Sequence, residues 1–314
     1  AAKARGVDIR VLVDGIGSGY ISSPVIRRLH RAGIAATRFM HDWRPWRMSF
    51  INLRNHKKLM IIDGTHGFAG GLNLGKENIF TRRREREVND IHFRLDGPVV
   101  CQLMASFAED WHFTTGESLT GEAWWPAIDP AGSVVSRVIS SGPDEDVGRI
   151  EMVLAAAIGE ARNNVRIVTP YFLPDERLRS AIILAALRGV EIDLVIPQRS
   201  DHALLDWAMR AHLSFFPLDR IRCHMTPEPF DHSKLMTVDG QWCAVGSPNW
   251  DVRSLRLNFE LLLECYDEKT VEGLDRTIDG KISQAKALTA EDLAGRPLAA
   301  RLRDASARML LPYL

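Results

Sequence analysis

Residues 55–64, NHKKLMIIDG, and residues 231–240, DHSKLMTVDG, carry one pattern twice. Side chains on an extended strand repeat direction every second residue, so His56 shares a face with Lys58, and His232 with Lys234. The apolar run Leu59–Ile62 reads as strand core, and Asp63-Gly64 as the turn that ends it, with Asp239-Gly240 as its counterpart. A single His-x-Lys on a strand reads as a solvated edge. Two copies at one spacing imply a shared architecture.

The repeat extends outward from these segments. Arg5-Gly6-Val7 before a Val/Ile/Leu strand matches Arg188-Gly189-Val190, and GGLN at 70–73 matches GSPN at 246–249. Each half then places an acid in an extended segment, Asp90 in VNDIHFRL and Glu260 in LNFELLLE. Strands alternating with helices indicate an α/β fold. We read two domains, each a mixed, mostly parallel sheet flanked by helices, related by a pseudo-twofold axis.

Strands are expected at 8–13, 35–40, 58–62, 90–95, 134–140, 165–169, 191–196, 221–225, 234–238, 242–246 and 258–265. Helices are expected at about 22–32, 97–112, 147–161, 176–188 and 202–213, with more after 270. The first domain covers residues 1–113, a Gly-, Pro-, Ser- and acid-containing linker 114–136, and the second domain 137–314. Within the linker, WPAI at 125–128 is expected to pack on a domain. Ahead of its Arg-Gly-Val, the second half has a helix, a strand and a Pro-bearing loop that the first half lacks. About 35 residues are therefore expected to precede Ala1.

The chain of 314 residues is 46% hydrophobic and 25% charged, enough to bury the cores of two domains. Lys plus Arg and Asp plus Glu are both 40, so no global field draws it to nucleic acid, while a local basic site stays open. No apolar run reaches the roughly 18 residues a membrane span needs. Cys101, Cys223, Cys243 and Cys265 lack metal-ligand pairing and read as buried free thiols. The segment CHMTPEPFDH, 223–232, reads as strand and loop; no metal and no cofactor is expected.

Face-to-face packing of the halves would bring both histidines and both lysines to one cleft. Four potential cations repel unless an anion joins them, and a phosphodiester suits the place. Lys58 and Lys234 can hold its nonbridging oxygens while Asn73 and Asn249 add amide hydrogen bonds. One neutral histidine can attack phosphorus as the other protonates the departing oxygen, giving in-line displacement and a phosphohistidine. Asp90 is expected to orient His56, and Glu260 to orient His232. Asp63 and Asp239, past the strand core, are read as supports for loops or lysines or as turn residues.

These paired H-x-K-x4-D segments, with GGLN and GSPN, resemble the phospholipase D superfamily over nearly the whole chain. Within it, VLVDGIGS at 11–18, TPYFLPD at 169–175, GSPNWDVRSLRLNFE at 246–260 and RPLAARLRDASARMLLPYL at 296–314 resemble bacterial cardiolipin synthases. The resemblance implies His56 as nucleophile and His232 as general acid/base, with Lys58, Asp63, Asn73, Asp90, Lys234, Asp239, Asn249 and Glu260 completing the site. It implies transfer of a phosphatidyl group between two phosphatidylglycerols with release of glycerol; phosphatidylethanolamine is a donor in some relatives. A phospholipase forming phosphatidic acid, or a nuclease, is the alternative.

The implied partner is an anionic phospholipid surface at the bacterial inner membrane, held peripherally by this segment, with an N-terminal anchor left open. A monomer suffices for the site. The run TRRRERE at 81–87 reads as a solvated loop or a headgroup or nucleic-acid contact. Trp43 and Trp46 in HDWRPW are candidate rim anchors, and Phe39, Met40, Phe215 and Phe216 candidate linings of an acyl entrance. The last segment reads either as an interfacial helix or as a cover for the core.

Overall fold

The computed structural model describes residues 1–19, 21–42, 52–75, 78 and 87–310. Trp43, Trp46 and 81–86 of the basic run lie outside the described residues. The first half builds two small sheets. Strands Arg10–Asp14 and Ala35–Phe39 pair in parallel, joined by helix Pro24–Arg31. Ser23 accepts from the backbone amide of Ile26 to cap that helix, and Pro24 supplies a preset first turn.

Strands Leu59–Ile62, His66–Gly70 and His92–Asp96 form an antiparallel sheet against helix Val99–Thr115. Leu59 and Ile61 turn inward to Ala69, Leu103 and Leu261, while Met60 and Ile62 face outward. The strand at 66–70 was absent from the expected set because its glycines mask the β pattern.

The second half is built on a nine-stranded sheet. Three central strands, Asn164–Val168, Glu191–Pro197 and Ile221–Thr226, run parallel. Strands Leu235–Val238, Trp242–Gly246, Asn258–Tyr266 and Val135–Ser141 extend the sheet with antiparallel pairings. The sheet is mixed as expected; its parallel pairings join the three strands linked by helices Glu176–Leu187 and Ala203–Leu213, and add the short strand Arg54–Asn55 alongside Asn258–Phe259. The other pairings are antiparallel, among them the hairpin of Leu235–Val238 with Trp242–Gly246, which needs no crossover.

Strand Leu235–Val238 is buried along its whole length, unlike Leu59–Ile62, because neighbours flank it and layers cover both faces. Ile167, Ile192, Leu194 and Met236 pack with Ile150, Ile158, Leu178 and Ile182 of the helices on one side. Val168, Val195 and Leu235 meet Val271, Leu274 and Ile278 on the other.

Residues 116–134 cross the first half without strand or helix. Leu119 is buried with Met104 and Trp111, the Trp125 indole donates to the Leu119 carbonyl, and Trp124 packs on the same cluster. The segment thus adheres to the first half.

Two short parallel pairings join the halves reciprocally. Arg54–Asn55 lies beside Asn258–Phe259, and Phe230–Asp231 beside Val88–Asn89. Each motif's leading residues therefore extend the strand that carries the other half's acid.

Candidate active site

Register carries this exchange into the site. One residue beyond each pairing, the His56 amide donates to the Phe259 carbonyl at 2.9 Å, and the His232 amide to the Asn89 carbonyl at 2.7 Å. The next side chains meet: His56 Nδ1 lies 3.0 Å from Glu260 Oε2, and His232 Nδ1 lies 2.8 Å from Asp90 Oδ2. The expected pairing of Asp90 with His56 and Glu260 with His232 is corrected by this geometry. Parallel pairing across the halves puts residue 56 level with 260, and 232 level with 90, whereas each histidine's own acid lies elsewhere.

The residue before each histidine shapes the approach. Asn55 Oδ1 accepts from the Lys57 amide and Asp231 Oδ1 from the Ser233 amide, an Asx turn in each half. These turns are tethered by Asn55 and Lys57 to Asp110, and by Lys281 to Asp231. Sequence reasoning passed over these anchors. The signal was an Asn or Asp immediately before each histidine.

Glu260 is wholly buried and receives hydrogen bonds from Ser247 Oγ, Ser254 Oγ at 2.6 Å and Asn258 Nδ2 at 3.1 Å, besides facing His56. Burial opposes its charge, but His56, Lys58 and these donors prevail and hold its carboxyl down to about 2. A depressed carboxyl stabilises the fold above its ordinary value of 4.5, and that contribution is lost as pH falls towards about 2.

Asp90 has a glycine where Glu260 has a serine. A Cβ on Gly71 would lie 2.2 Å from Asp90 Oδ1, so the acid can reach its place only beside glycine. A Cβ on Gly246 would meet the Leu261 carbonyl at 2.3 Å. The Gly-Gly and Gly-Ser pairs thus admit the acid-bearing strands.

The lysines converge with these groups. Lys58 Nζ donates to the His56 carbonyl at 2.7 Å, and Lys234 Nζ lies 2.7 and 2.9 Å from the two ring nitrogens of His232. Burial pushes Lys58 down to about 8 and Lys234 to about 7, each against the attraction of both Asp90 and Glu260. Burial likewise pushes His232 down to about 4, reinforced by Lys234, and lowers His56 despite Glu260. Both imidazoles are therefore neutral at pH 7. The carboxylates already offset the lysines, so the site does not depend on an anion to bring its cations together, contrary to expectation.

Asp63 and Asp239 do not join the site. Their φ angles are 52° and 53°, followed by Gly64 and Gly240 at 67° and 68°, the successive positive values of a hairpin turn. Asp239 also accepts from the amides of Arg162, Asn163 and Asn164. The strand between Lys234 and Asp239 carries that carboxylate roughly 16 Å from the lysine's position. Their inclusion among catalytic residues is corrected: they close the hairpins at the opposite strand ends.

The asparagines differ. Asn249 is buried beside Asp251, whereas Asn73 is exposed. Around His232 the rings of Phe230 and Tyr171 stand 5.7 and 6.4 Å away, centroid to centroid. His224, near His232 in sequence, instead faces Asp193 at 2.8 Å, and no group of ligands suited to a metal occurs among the described residues.

The family described as "Cardiolipin synthase, PLD-like domain" matches residues 1–111 and 154–281, one match on each histidine-bearing half. The chain belongs to this family. A cardiolipin synthase of Oceanobacillus iheyensis is 33% identical over 312 residues, covering 99% of this chain and 64% of that protein. The major cardiolipin synthase of Bacillus subtilis is 32% identical over 315 residues, covering 99% of this chain and 65% of its own length. The chain thus spans just under two thirds of these relatives. A phosphatidylserine synthase structure from Haemophilus influenzae shares the fold with a TM-score of 0.74 at 12% identity, covering 98% of this chain and 83% of that one.

The remaining candidates sort by burial. Phe39 and Phe216 are core residues, packed on Phe259 and Phe172, and do not line an acyl entrance. Met40 is partly buried. Phe215 is partly exposed, with the guanidinium of Arg308 4.4 Å from its ring. Helix Leu298–Met309 does cover the core, burying Asp304 and Ala307, yet Leu298, Leu302 and Met309 face outward. Cys223, Cys243 and Cys265 are buried free thiols, while Cys101 is only partly buried.

Proposed function

We propose that this chain transfers a phosphatidyl group from one phosphatidylglycerol to another through a phosphohistidine. The observation that carries the reading is the reciprocal pair: each histidine is held at Nδ1 by a carboxylate from the opposite half, with a lysine beside each. With Nδ1–H donated to a carboxylate, the lone pair of a neutral imidazole sits on Nε2. His56 Nε2 attacks phosphorus, the P–O bond to the leaving glycerol breaks, and that oxygen takes a proton from His232. The arriving phosphodiester supplies the negative charge that favours the protonated His232 needed for this step.

His232 then accepts the hydroxyl proton of a second phosphatidylglycerol as its oxygen attacks phosphorus and the P–N bond breaks. Lys58 and Lys234 balance the charge on the nonbridging oxygens, with Asn249 and Asn73 assigned to the same phosphate. The acceptor decides the product. The membrane surface is the proposed workplace; among the described residues no helix is long and apolar enough to cross a bilayer.

Phosphatidylglycerol vesicles should yield cardiolipin and glycerol in equal amounts. Phosphatidic acid instead would identify a hydrolase, and cleavage of DNA without lipid turnover would refute the lipid reading.

The pH profile tests the lysines. Because kcat/KM reports the free enzyme, its alkaline limb should fall between about 7 and 8 as Lys234 and Lys58 lose their protons. Its acid limb should lie below the ordinary histidine value of 6.5, because burial lowers both histidines. In Lys234→Arg, whose guanidinium stays charged, the residual activity should keep its alkaline limb at higher pH. An unmoved limb would remove Lys234 from that ionisation.

A further inference from the structure

A second cationic hollow lies on the same rim of the sheet as the histidines. Its volume is about 270 Å³, and it is lined by Arg199, Arg210, Lys286 and Arg296 together with the apolar Met225 and Leu293. One acid, Asp292, also lines it; its carboxylate accepts from the backbone amide and hydroxyl of Thr289 in a helix cap and is attracted by Lys286, leaving an excess of three positive charges.

The four cations divide into two kinds. Arg296 is tied to Asp304 at 2.7 Å, and Arg210 to the carbonyls of Gln198 and Asp206, so these two are braced. Among the described residues, the side chains of Arg199 and Lys286 make no hydrogen bond or salt bridge. Arg296 Nε is buried without a partner. Such a site has fixed positive charge and two cations able to close on a ligand. A phosphate with an apolar attachment matches both the cationic and the apolar part of this lining.

Ladder register locates the hollow. Leu235 pairs with Val168, Val195 with Val168, Pro197 with Thr226, and Met225 with Lys286. His232, Tyr171 and Gln198 therefore lie at one level, and the hollow stands two to four strand spacings from His232, roughly 10–19 Å across the rim. That separation gives it its own phosphate, distinct from one held between the histidines. Leu298 and Leu302, exposed just beyond Arg296, add apolar surface on the chain that leaves the hollow.

We infer that this hollow binds the phosphate of an anionic phospholipid headgroup that is not being turned over, docking the histidine-bearing rim against the lipid surface. A free phosphate ester shares the recognising chemistry; the exposed leucines favour the lipid. The inference stands whether or not transfer to phosphatidylglycerol is the reaction, since docking is read without turnover.

The test removes the two unbraced cations in the intact chain, Arg199→Gln with Lys286→Gln. As a charge-matched control, Arg27→Gln with Arg28→Gln removes two exposed cations from helix Pro24–Arg31. Binding to vesicles of phosphatidylcholine containing phosphatidylglycerol is measured by co-sedimentation, and the thermal shift produced by inorganic phosphate is measured separately. At roughly fivefold per cation near an anionic surface, affinity for the vesicles should drop about 30-fold in the first variant and far less in the control.

A lost phosphate shift with vesicle binding equal to the control's would assign the hollow to a soluble phosphate ester and overturn the docking role. Equal behaviour of both double variants in both measurements would overturn the site altogether. Cleavage of a dispersed short-chain substrate should persist in the first variant.

Discussion

Replacing His56 with asparagine is expected to lower turnover by about 10⁴-fold or more and to abolish attachment of labelled phosphatidyl groups to the protein. The magnitude follows from the proposed covalent route: without the Nε2 lone pair there is no bond to phosphorus, and water or alcohol must attack unaided. His56 is partly exposed, and its asparagine variant leaves the Glu260 cluster with its three other hydrogen-bond donors. The fold should therefore survive, which circular dichroism and thermal melting can verify.

His232→Asn should behave differently. Formation and breakdown of the phosphoenzyme should both slow, because His232 gives a proton in the first step and takes one in the second. Labelled lipid retained by the His56 variant and absent from the His232 variant would reverse the assignment. The near symmetry of the two centres makes that outcome a meaningful alternative.

The second large effect concerns the acids. Glu260→Gln and Asp90→Asn should each reduce kcat by roughly 10²–10⁴-fold, the range for losing a carboxylate that fixes an imidazole's tautomer and direction. The structure predicts which histidine each change disturbs. Glu260→Gln should shift the Nδ1 proton resonance of His56 and leave that of His232 near its place. Asp90→Asn should do the converse. Crosswise shifts would refute the pairing across the halves even if both variants lost activity.

Glu260→Gln should also flatten the loss of stability between pH 4.5 and about 2, because the amide does not titrate there. That measurement separates the electrostatic part of Glu260's role from its packing. Asp90, lodged against Gly71, offers a steric companion: Gly71→Ala would drive a methyl group into the carboxylate, its carbon only 2.2 Å from Oδ1. Its effect should therefore resemble Asp90→Asn in disturbing His232 rather than His56.

Much of this was legible in the chain itself. Strand periodicity marked Leu59–Ile62 and Leu235–Val238, and recurrence marked His56, Lys58, His232 and Lys234 as a paired set. Asp-Gly announced both hairpin turns because few other pairs accept two successive positive φ values. These are local properties, fixed by side-chain alternation and backbone sterics within a few residues.

The partnership of acids and histidines is of another kind. Asp90 follows His56 in sequence, as Glu260 follows His232, and nothing local distinguishes the nearer acid from the farther one. Only the tertiary structure decides, because Arg54–Asn55 and Phe230–Asp231 leave their own halves to pair with Asn258–Phe259 and Val88–Asn89. Sequence alone determined the repeated chemical groups and their strand faces. Packing of the halves determined their partners, since a parallel ladder brings together residues of equal register, however distant they are along the chain.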